Sequence, residues 1–341
     1  MKTVNFVEDW EQIQAEYAAL GDGLPLVPPT PQRVERMLAG FDADALVATL
    51  APCFGEATWR SIAENAVMAG CLPGYLPVIA AAVAAVAESE FNLLGIQTTT
   101  GNAAPMIIVN GPIATAISMN SGANALGPGN RANATIGRAL RLVLQNVGGA
   151  KPGEMDMATL GQPGKYTFCL SENEAQSPWP ALHTDRGFAK EQSVVTVVGA
   201  EGLIEVVDSV STAPEDLIRT YANSMLFAGS VGTSGLVGAG EPLLLMPPDH
   251  ADLFNRAGWS KPDIKAALHR EAEMPLDRLS PAVAARIADA RTAAGEDNTA
   301  PIRIARDPAD ILIIVAGGSG VKAAYIPTWS GSRAVSRALS S

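Results

Sequence analysis

Four asparagines and one arginine precede an amphipathic helix within residues 119–141, MNSGANALGPGNRANATIGRALR. A helix N-terminus offers unpaired backbone N–H groups and a partial positive charge, so it favours anions. Arginine adds a full charge that binds a carboxylate or phosphate in bidentate fashion, and amides line polar pockets without adding charge. We therefore predict a site for a small polar or anionic molecule, with Asn133 as the helix N-cap. Its substrate-binding residues are Asn120, Asn124, Asn130, Arg131 and Asn133. The alternative is a structural loop before a capped helix, with Arg131 bound to a neighbouring carboxylate.

A second polar group follows the apolar stretch 165–171, which predicts a strand. Functional side chains gather at strand ends because the sheet fixes them while the following loop gives access. A histidine near carboxylates can transfer protons, and we expect His183 to lie within reach of Glu172 or Glu174. We assign proton transfer to Glu172, Glu174, His183 and Asp185. Asn173, and Asn110 at the end of the apolar run 104–112, are assigned to substrate binding. Two alternatives stay open, a salt-bridged loop and a metal site with His183 and Asp185 as ligands.

The glycine-rich segments do not match nucleotide-binding motifs. The loop before the helix lacks the Gly-Lys-Ser/Thr ending of a P-loop, and AGGSG at 316–320 is followed by strand-like residues instead of a helix. We therefore expect no nucleotide cofactor, whereas a divalent metal is possible. The three cysteines, Cys53, Cys71 and Cys169, form no CxxC pair, and no sequence feature marks one of them as a nucleophile.

These residues need a scaffold, and the order of apolar patterns predicts an α/β fold. The segment 1–100 has mainly helical spacing and is expected to pack on the core. The following segments alternate between short apolar runs and amphipathic helices, which predicts a mixed sheet with helices on both faces. We expect one α/β part at 101–225, with the Asn/Gly loop and the proposed site, and a second at 226–341. No internal repeat is evident in the sequence.

Composition narrows the possible partners. The 341 residues include 35 acidic and 24 basic side chains, a net charge of −11, and no run of basic residues. Neither a nucleic acid nor an anionic membrane is therefore an expected partner. The acidic N-terminus does not resemble a signal peptide, and the longest apolar window is too short to span a bilayer. We expect a cytoplasmic protein, with a homo-oligomer as one possibility.

Several segments in combination resemble a bacterial family over nearly the whole chain. They are GDGLPLVPPTPQRVERMLAG, AVMAGCLPGYLPVIAAAVAA, NSGANALGPGNRANATIGRALRL, TLGQPGKYTFCLSENEAQSPW and ILIIVAGGSG. That family is similar to the region that accompanies proteins named for a UGSC motif, selenocysteine or cysteine followed by Gly-Ser-Cys. No CGSC occurs here, so the resemblance implies that a partner supplies this motif or that it is absent. Chemistry at a C–S or C–N bond is implied by the same association.

These observations predict an enzyme that cleaves or hydrates a carbon–heteroatom bond in a small polar or anionic molecule by acid/base chemistry. One alternative is a non-catalytic subunit that binds substrate for a thiol- or selenol-bearing partner of the CGSC type. Another is a metal-dependent hydrolase. Metal content and partner capture distinguish the three.

Overall fold

The protein is α/β, with two mixed sheets of four strands each. The structure is a computed structural model and describes residues 10–38, 40–227, 229 and 240–339. Its α-helices are α1 (Trp10–Tyr17), α2 (Pro31–Leu38), α3 (Trp59–Ala69), α4 (Leu76–Val86), α5 (Leu93–Thr98), α6 (Pro112–Ala116), α7 (Arg131–Asn146), α8 (Leu182–Asp185), α9 (Pro214–Ser224), α10 (Pro248–Arg256), α11 (Lys261–Glu271) and α12 (Pro281–Ala294). Its strands are β1 (Leu46–Leu50), β2 (Gly55–Thr58), β3 (Ala104–Asn110), β4 (Cys169–Ser171), β5 (Val194–Ala200), β6 (Ile204–Val207), β7 (Leu243–Met246), β8 (Glu273–Met274), β9 (Ile302–Arg303), β10 (Leu312–Val315), β11 (Lys322–Ile326) and β12 (Val335–Ala338).

Both four-stranded sheets have the same pattern of strand directions. Sheet I has the order β12-β5-β3-β4, and sheet II has the order β10-β7-β11-β6. In sheet I, β3 is parallel to β4 and antiparallel to β5, which is antiparallel to β12. In sheet II, β7 is parallel to β10 and antiparallel to β11, which is antiparallel to β6. Each sheet therefore contains one parallel pair and two antiparallel pairs.

The two sheets are stacked, and helices cover their outer faces. Successive strand residues point to opposite faces, so alternate residues of one strand belong to different cores. Met106 and Ile108 of β3 pack with Leu243 and Leu245 of β7 between the sheets. Ile107 and its neighbours face α3, α4 and α7, while Leu244 and its neighbours face α9, α10 and α11. Burial on both faces explains why these strands appear as continuous apolar runs in the sequence.

The last strand of each half belongs to the sheet of the other half. Strand β6 follows β5 of sheet I but pairs with β11, and β12 follows β11 of sheet II but pairs with β5. Equivalent backbone hydrogen bonds lie at the crossing. The Glu201 backbone N–H donates to the Pro327 carbonyl, and the Trp329 backbone N–H donates to the Gly199 carbonyl, both at 2.8 Å. The chain is therefore a pseudo-symmetric pair of units with exchanged strands. The repeat is one of topology, which explains why no repeat is evident in the sequence.

This exchange also affects the predicted parts. Because β6 lies in sheet II and β12 lies in sheet I, the parts 101–225 and 226–341 do not coincide with the two sheets. The N-terminal segment is mainly helical, with a hairpin of β1 and β2. Helix α2 packs on α3, and three of its side chains are buried in the core beneath sheet I.

Helix α4 is almost wholly apolar, as the sequence indicates, and nine of its side chains are buried. No single described helix is long and apolar enough to cross a membrane. The bent pair Pro73–Val86 and Ser89–Thr98 meets the criterion by length and composition alone.

Candidate active site

The Asn/Gly loop is held together by the amides that the sequence assigns to substrate binding. Asn133 accepts from the backbone N–H of Asn120 at 3.0 Å and donates to the carbonyls of Asn120 and Ala125 at 2.7 and 2.9 Å. Asn124 donates to the Pro128 carbonyl. These amides therefore satisfy backbone groups within the loop, as the structural alternative proposed.

The predicted N-cap of α7, Asn133, is wrong. Asn130 is the N-cap, since its side chain accepts from the Asn133 N–H at 3.0 Å, and its amide nitrogen donates to the Ser118 carbonyl. The helix consequently begins at Arg131, three residues before the predicted start. Asn133 is a buried residue inside the first turn, and its amide faces the loop.

Arg131 has no carboxylate partner among the described residues. The alternative in which Arg131 binds a neighbouring carboxylate is therefore not what the structure shows. Its Nε donates to the Gly70 carbonyl at 2.9 Å. Its side chain lines a cleft of about 190 Å³ together with Arg33, Arg36 and Cys71. None of the three guanidinium groups forms an ion pair within the described chain. The cleft concentrates positive charge in a protein of net charge −11.

Glu172 is the buried carboxyl group of this region. It follows β4 directly, and its backbone N–H continues the pairing with β3 by donating to the Val109 carbonyl. Its Oε2 accepts from Asn110 Nδ2 at 2.7 Å and from the Leu182 N–H at 2.8 Å. Its Oε1 is buried and has no hydrogen-bond partner. Burial raises the pKa of Glu172 to about 7, although Lys261, the Leu182 N–H and Asn110 each lower it.

Asn110 joins Glu172 to the second predicted carboxylate. Its Nδ2 also donates to Glu174 Oε1 at 3.0 Å, while its Oδ1 is buried without a partner. The Gly111 N–H donates to the same Glu174 oxygen at 2.7 Å. Gly111 has φ of +82°, and a Cβ atom there would lie 2.2 Å from the Gln192 carbonyl oxygen, so this turn requires glycine. The predicted residues Asn110, Glu172 and Glu174 therefore form one cluster.

Asn173 lies next to this cluster but bonds elsewhere. Its side-chain nitrogen donates to Gln176 Oε1 at 2.7 Å and lies 3.3 Å from the Gly317 carbonyl. Its backbone N–H donates to the Val315 carbonyl at the end of β10. The residue thus links the ends of β4 and β10, one from each sheet.

Lys261, which sequence reasoning missed, approaches Glu172 from the second unit. Its Nζ lies 4.0 Å from Glu172 Oε1 and 2.8 Å from Asp185 Oδ2, and it donates to the Pro180 carbonyl at 2.6 Å. Its side chain is buried, which is unusual for a lysine in the first turn of a helix. Asp185 is partly exposed. A series of charged groups therefore runs from the buried Glu172 through Lys261 to Asp185.

The hydrogen bond predicted between His183 and Glu172 or Glu174 is absent. His183 Nε2 lies 3.3 Å from the Lys190 carbonyl oxygen, and its buried Nδ1 has no partner. In α8 it is the backbone N–H of the preceding residue, Leu182, that contacts Glu172. A short helix turns successive side chains in different directions, so proximity along the sequence did not bring the imidazole to the carboxylate.

Asp185, the other residue proposed as a metal ligand, is paired with Lys261 at 2.8 Å. Within the described residues, no group of three or more His, Cys, Asp or Glu side chains could hold a metal ion. The cysteines are free. Burial raises the pKa of Cys71 to about 12, and burial also raises that of Cys169, so neither is a ready thiolate.

Comparison of the chain with protein-family models, with curated proteins and with solved structures finds no match. The resemblance to the region accompanying UGSC-motif proteins therefore stays a prediction.

Proposed function

We propose that the protein is an enzyme in which Glu172 transfers a proton, either during cleavage of a C–S or C–N bond with release of a thiol or amine, or during addition of water across a double bond, which forms a C–O bond. The observation that carries this proposal is the state of the Glu172 carboxyl group. It is wholly buried, its pKa is raised to about 7, and Oε1 is not used by the fold. A carboxyl group with a pKa near neutrality can both accept and donate a proton in the cell's usual pH range.

The neighbours of Glu172 have separate roles in this proposal. Asn110 and the Leu182 N–H hold Oε2, which leaves Oε1 as the reactive oxygen. The free Oδ1 of Asn110 can accept a hydrogen bond from the substrate. Lys261 and the partly exposed Asp185 offer a route by which the proton is exchanged with solvent. Because the carboxyl group has no solvent contact, a substrate reaches it only after the residues that cover it move.

Arg131 supports a small anionic substrate. Helix α7 connects two parallel strands, so its N-terminus lies at the edge of sheet I where β3 and β4 end. Arg131 and Glu172 are therefore on the same edge, although no hydrogen bond or ion pair joins them. We assign Arg131, with Arg33 and Arg36, to attraction of the anion, and Asn110, Glu172 and Glu174 to the reaction.

The test is an assay of turnover with a panel of amino acids, thioether carboxylates and unsaturated acids. Turnover is measured as release of ammonia or thiol, or as loss of the double bond. Activity should change with pH around 7. Glu172→Gln should reduce kcat by about 100-fold or more, the usual contribution of a positioned acid or base. Glu201→Gln is the matched control, since burial also raises the pKa of Glu201 but this residue lies at the strand crossing.

Arg131→Lys tests the anion role in the same assay. A lysine keeps the charge but not the planar fork, so KM should rise about 10- to 100-fold. Full activity of Glu172→Gln on any substrate found would refute the proton-transfer role. An unchanged KM in Arg131→Lys would refute only the role of the arginine cleft.

A second candidate function follows from the burial of Cys71 and Cys169, which raises their pKa values and makes these two thiols unsuited to catalysis. If the reaction requires a thiol or selenol, a CGSC-type partner would supply it and this chain would present the substrate. Capture of such a partner by the purified protein, together with turnover only in its presence, distinguishes this alternative.

A further inference from the structure

A second polar site lies at the opposite end of β4 from Glu172. It is a cleft of about 770 Å³ between the Gly21–Gly23 turn, the second half of α7 and the loop 152–166. Pockets of this volume are typical of small-molecule sites. None of the residues assigned to proton transfer lines it, so it is separate from the proposed active site.

The floor of this cleft has one buried cation, Arg141, and one partly buried cation, Lys165, for one carboxylate. Arg141 Nη2 lies 2.9 Å from Asp156 Oδ2, and Lys165 Nζ lies 2.7 Å from each oxygen of Asp156. The side chains of Arg141, Lys165 and Asp156 are only 10%, 13% and 5% exposed. The other carboxylate in the lining, Asp22, is bound by Arg138 at 2.7 Å. Both cations of the floor share the single carboxylate of Asp156, so this group carries one net positive charge.

An uncompensated charge in a poorly solvated site costs free energy, and an anion of single charge would offset that cost. The ammonium group of Lys165 has three hydrogens, of which the carboxylate of Asp156 engages two, so one remains for a ligand. Burial lowers the pKa of Lys165, and the bond to Asp156 opposes that effect. Binding of an anion would favour the charged ammonium further.

Gln97 offers an independent sign of an incomplete site. Its side chain is buried, its Oε1 lies 3.4 Å from Arg141 Nη1, and its Nε2 has no partner. It lines a void of about 10 Å³ that shares Arg141 and Lys165 with the cleft. That volume is about the size of one water molecule, so a water or one ligand oxygen could accept from Nε2.

The rim of the cleft is apolar on one side. Leu160, which is 90% exposed, and Tyr166, which is half exposed, both line the opening. Exposed apolar side chains beside a polar floor suit a ligand with an apolar body and one charged end. We infer that this cleft binds a small monocarboxylic acid, with its carboxylate at Lys165 and Arg141 and its apolar body against Leu160 and Tyr166.

The test is calorimetric titration of the full chain with two matched pairs, benzoate against benzamide and hexanoate against hexanamide. Each acid should bind, and its amide should bind at least about 10-fold more weakly, because a charge-assisted hydrogen bond is lost. Lys165→Gln should weaken binding of the acid about 10- to 100-fold for the same reason.

Lys165→Gln also removes a partner of Asp156, so a surface variant gives a second measurement that leaves the ion pair intact. Leu160→Asp removes an apolar contact at the rim and places a negative charge there. It should weaken binding of the acid by about 10-fold, which corresponds to about 1.4 kcal/mol. Val210→Asp is its control, since Val210 is 85% exposed and does not line the cleft. Arg256→Lys, at an exposed arginine that lines neither this cleft nor the arginine cleft, should leave binding unchanged.

Equal affinity for acid and amide would overturn this inference, as would equal effects of Leu160→Asp and Val210→Asp. Absence of binding heat with both acids at millimolar concentration would do the same. Loss of binding in Arg131→Lys would place the acid in the arginine cleft and also overturn it. The titration involves no turnover, so its outcome is independent of the role of Glu172.

Discussion

At the scale of single residues, two buried carboxyl groups, Asp156 and Glu172, differ in how closely cations approach them. Burial alone raises the pKa of both Asp156 and Glu172. Around Asp156, the hydrogen bond and charge of Lys165 and the charge of Arg141 outweigh burial, and the pKa is lowered. Glu172 has one cation, Lys261, at 4.0 Å, and burial prevails. Asp156 therefore suits ion pairing, and Glu172 suits proton transfer.

The raised pKa of Glu172 predicts a pH-dependent effect of Glu172→Gln on stability. The pKa rises from its ordinary value of 4.5 to about 7 on folding, so the native state holds the proton more tightly than the unfolded state. The contribution of Glu172 to stability is therefore fully present below pH 4.5 and is lost as the pH rises to about 7. Glu172→Gln cannot ionise, so its stability relative to the natural protein should rise over this range by up to about 3 kcal/mol.

Urea titration of both proteins from pH 5 to pH 8 measures this difference. A difference in unfolding free energy that stays constant with pH would show that the carboxyl group is not held protonated by the fold.

At the scale of elements, the Asn/Gly loop shows how far residue type alone can lead. The sequence identified the loop and its amides, but an amide bonds equally well to a ligand or to a neighbouring carbonyl. Asn120, Asn124, Asn130 and Asn133 all bond within the loop or to its flanks. Which of the two occurs depends on the backbone path, and the sequence does not specify that path.

The loop therefore predicts a contrast between two of its asparagines. Asn133→Ala removes three hydrogen bonds at a buried position and leaves backbone groups unpaired, so the unfolding free energy should fall by about 2–3 kcal/mol. Asn124→Gly removes one bond at an exposed position with positive φ, where glycine is tolerated, and should cost less than about 1 kcal/mol. Urea titration at one pH compares them. Equal losses would mean that Asn133 does not organise the loop.

The strands were more predictable than their arrangement. The apolar runs at β3, β5, β7 and β10 are visible in the sequence because each is buried on both faces. Burial on both faces does not say whether the covering layer is a helix or another sheet, so the stacking could not be predicted. The position of Lys261 beside Glu172 could not be predicted either, because a lysine in the first turn of a helix is normally solvated.

At the scale of the whole molecule, the exchanged strands make each unit depend on the other. A chain divided between Ser209 and Val210, in an exposed turn, would give fragments 1–209 and 210–341. The first fragment carries β6 without β11 to pair with, and the second carries β12 without β5. We expect each fragment alone to be insoluble or unfolded, and the two to co-purify when they are produced together.

Co-expression with a tag on one fragment, followed by circular dichroism of the complex, measures this dependence. A cooperative thermal transition of fragment 210–341 alone would show that sheet II does not need β6.

The strand exchange also has a consequence for synthesis on the ribosome. Strand β5 ends at Ala200, but its partner β12 is synthesised only when the ribosome reaches residues 335–338. Throughout the interval, one edge of the first sheet remains open beside a nascent chain, and open strand edges are templates for wrong pairing between chains. Polysomes bring many such nascent chains together, so production of this protein should depend on chaperones that shield the β5 edge until β12 emerges.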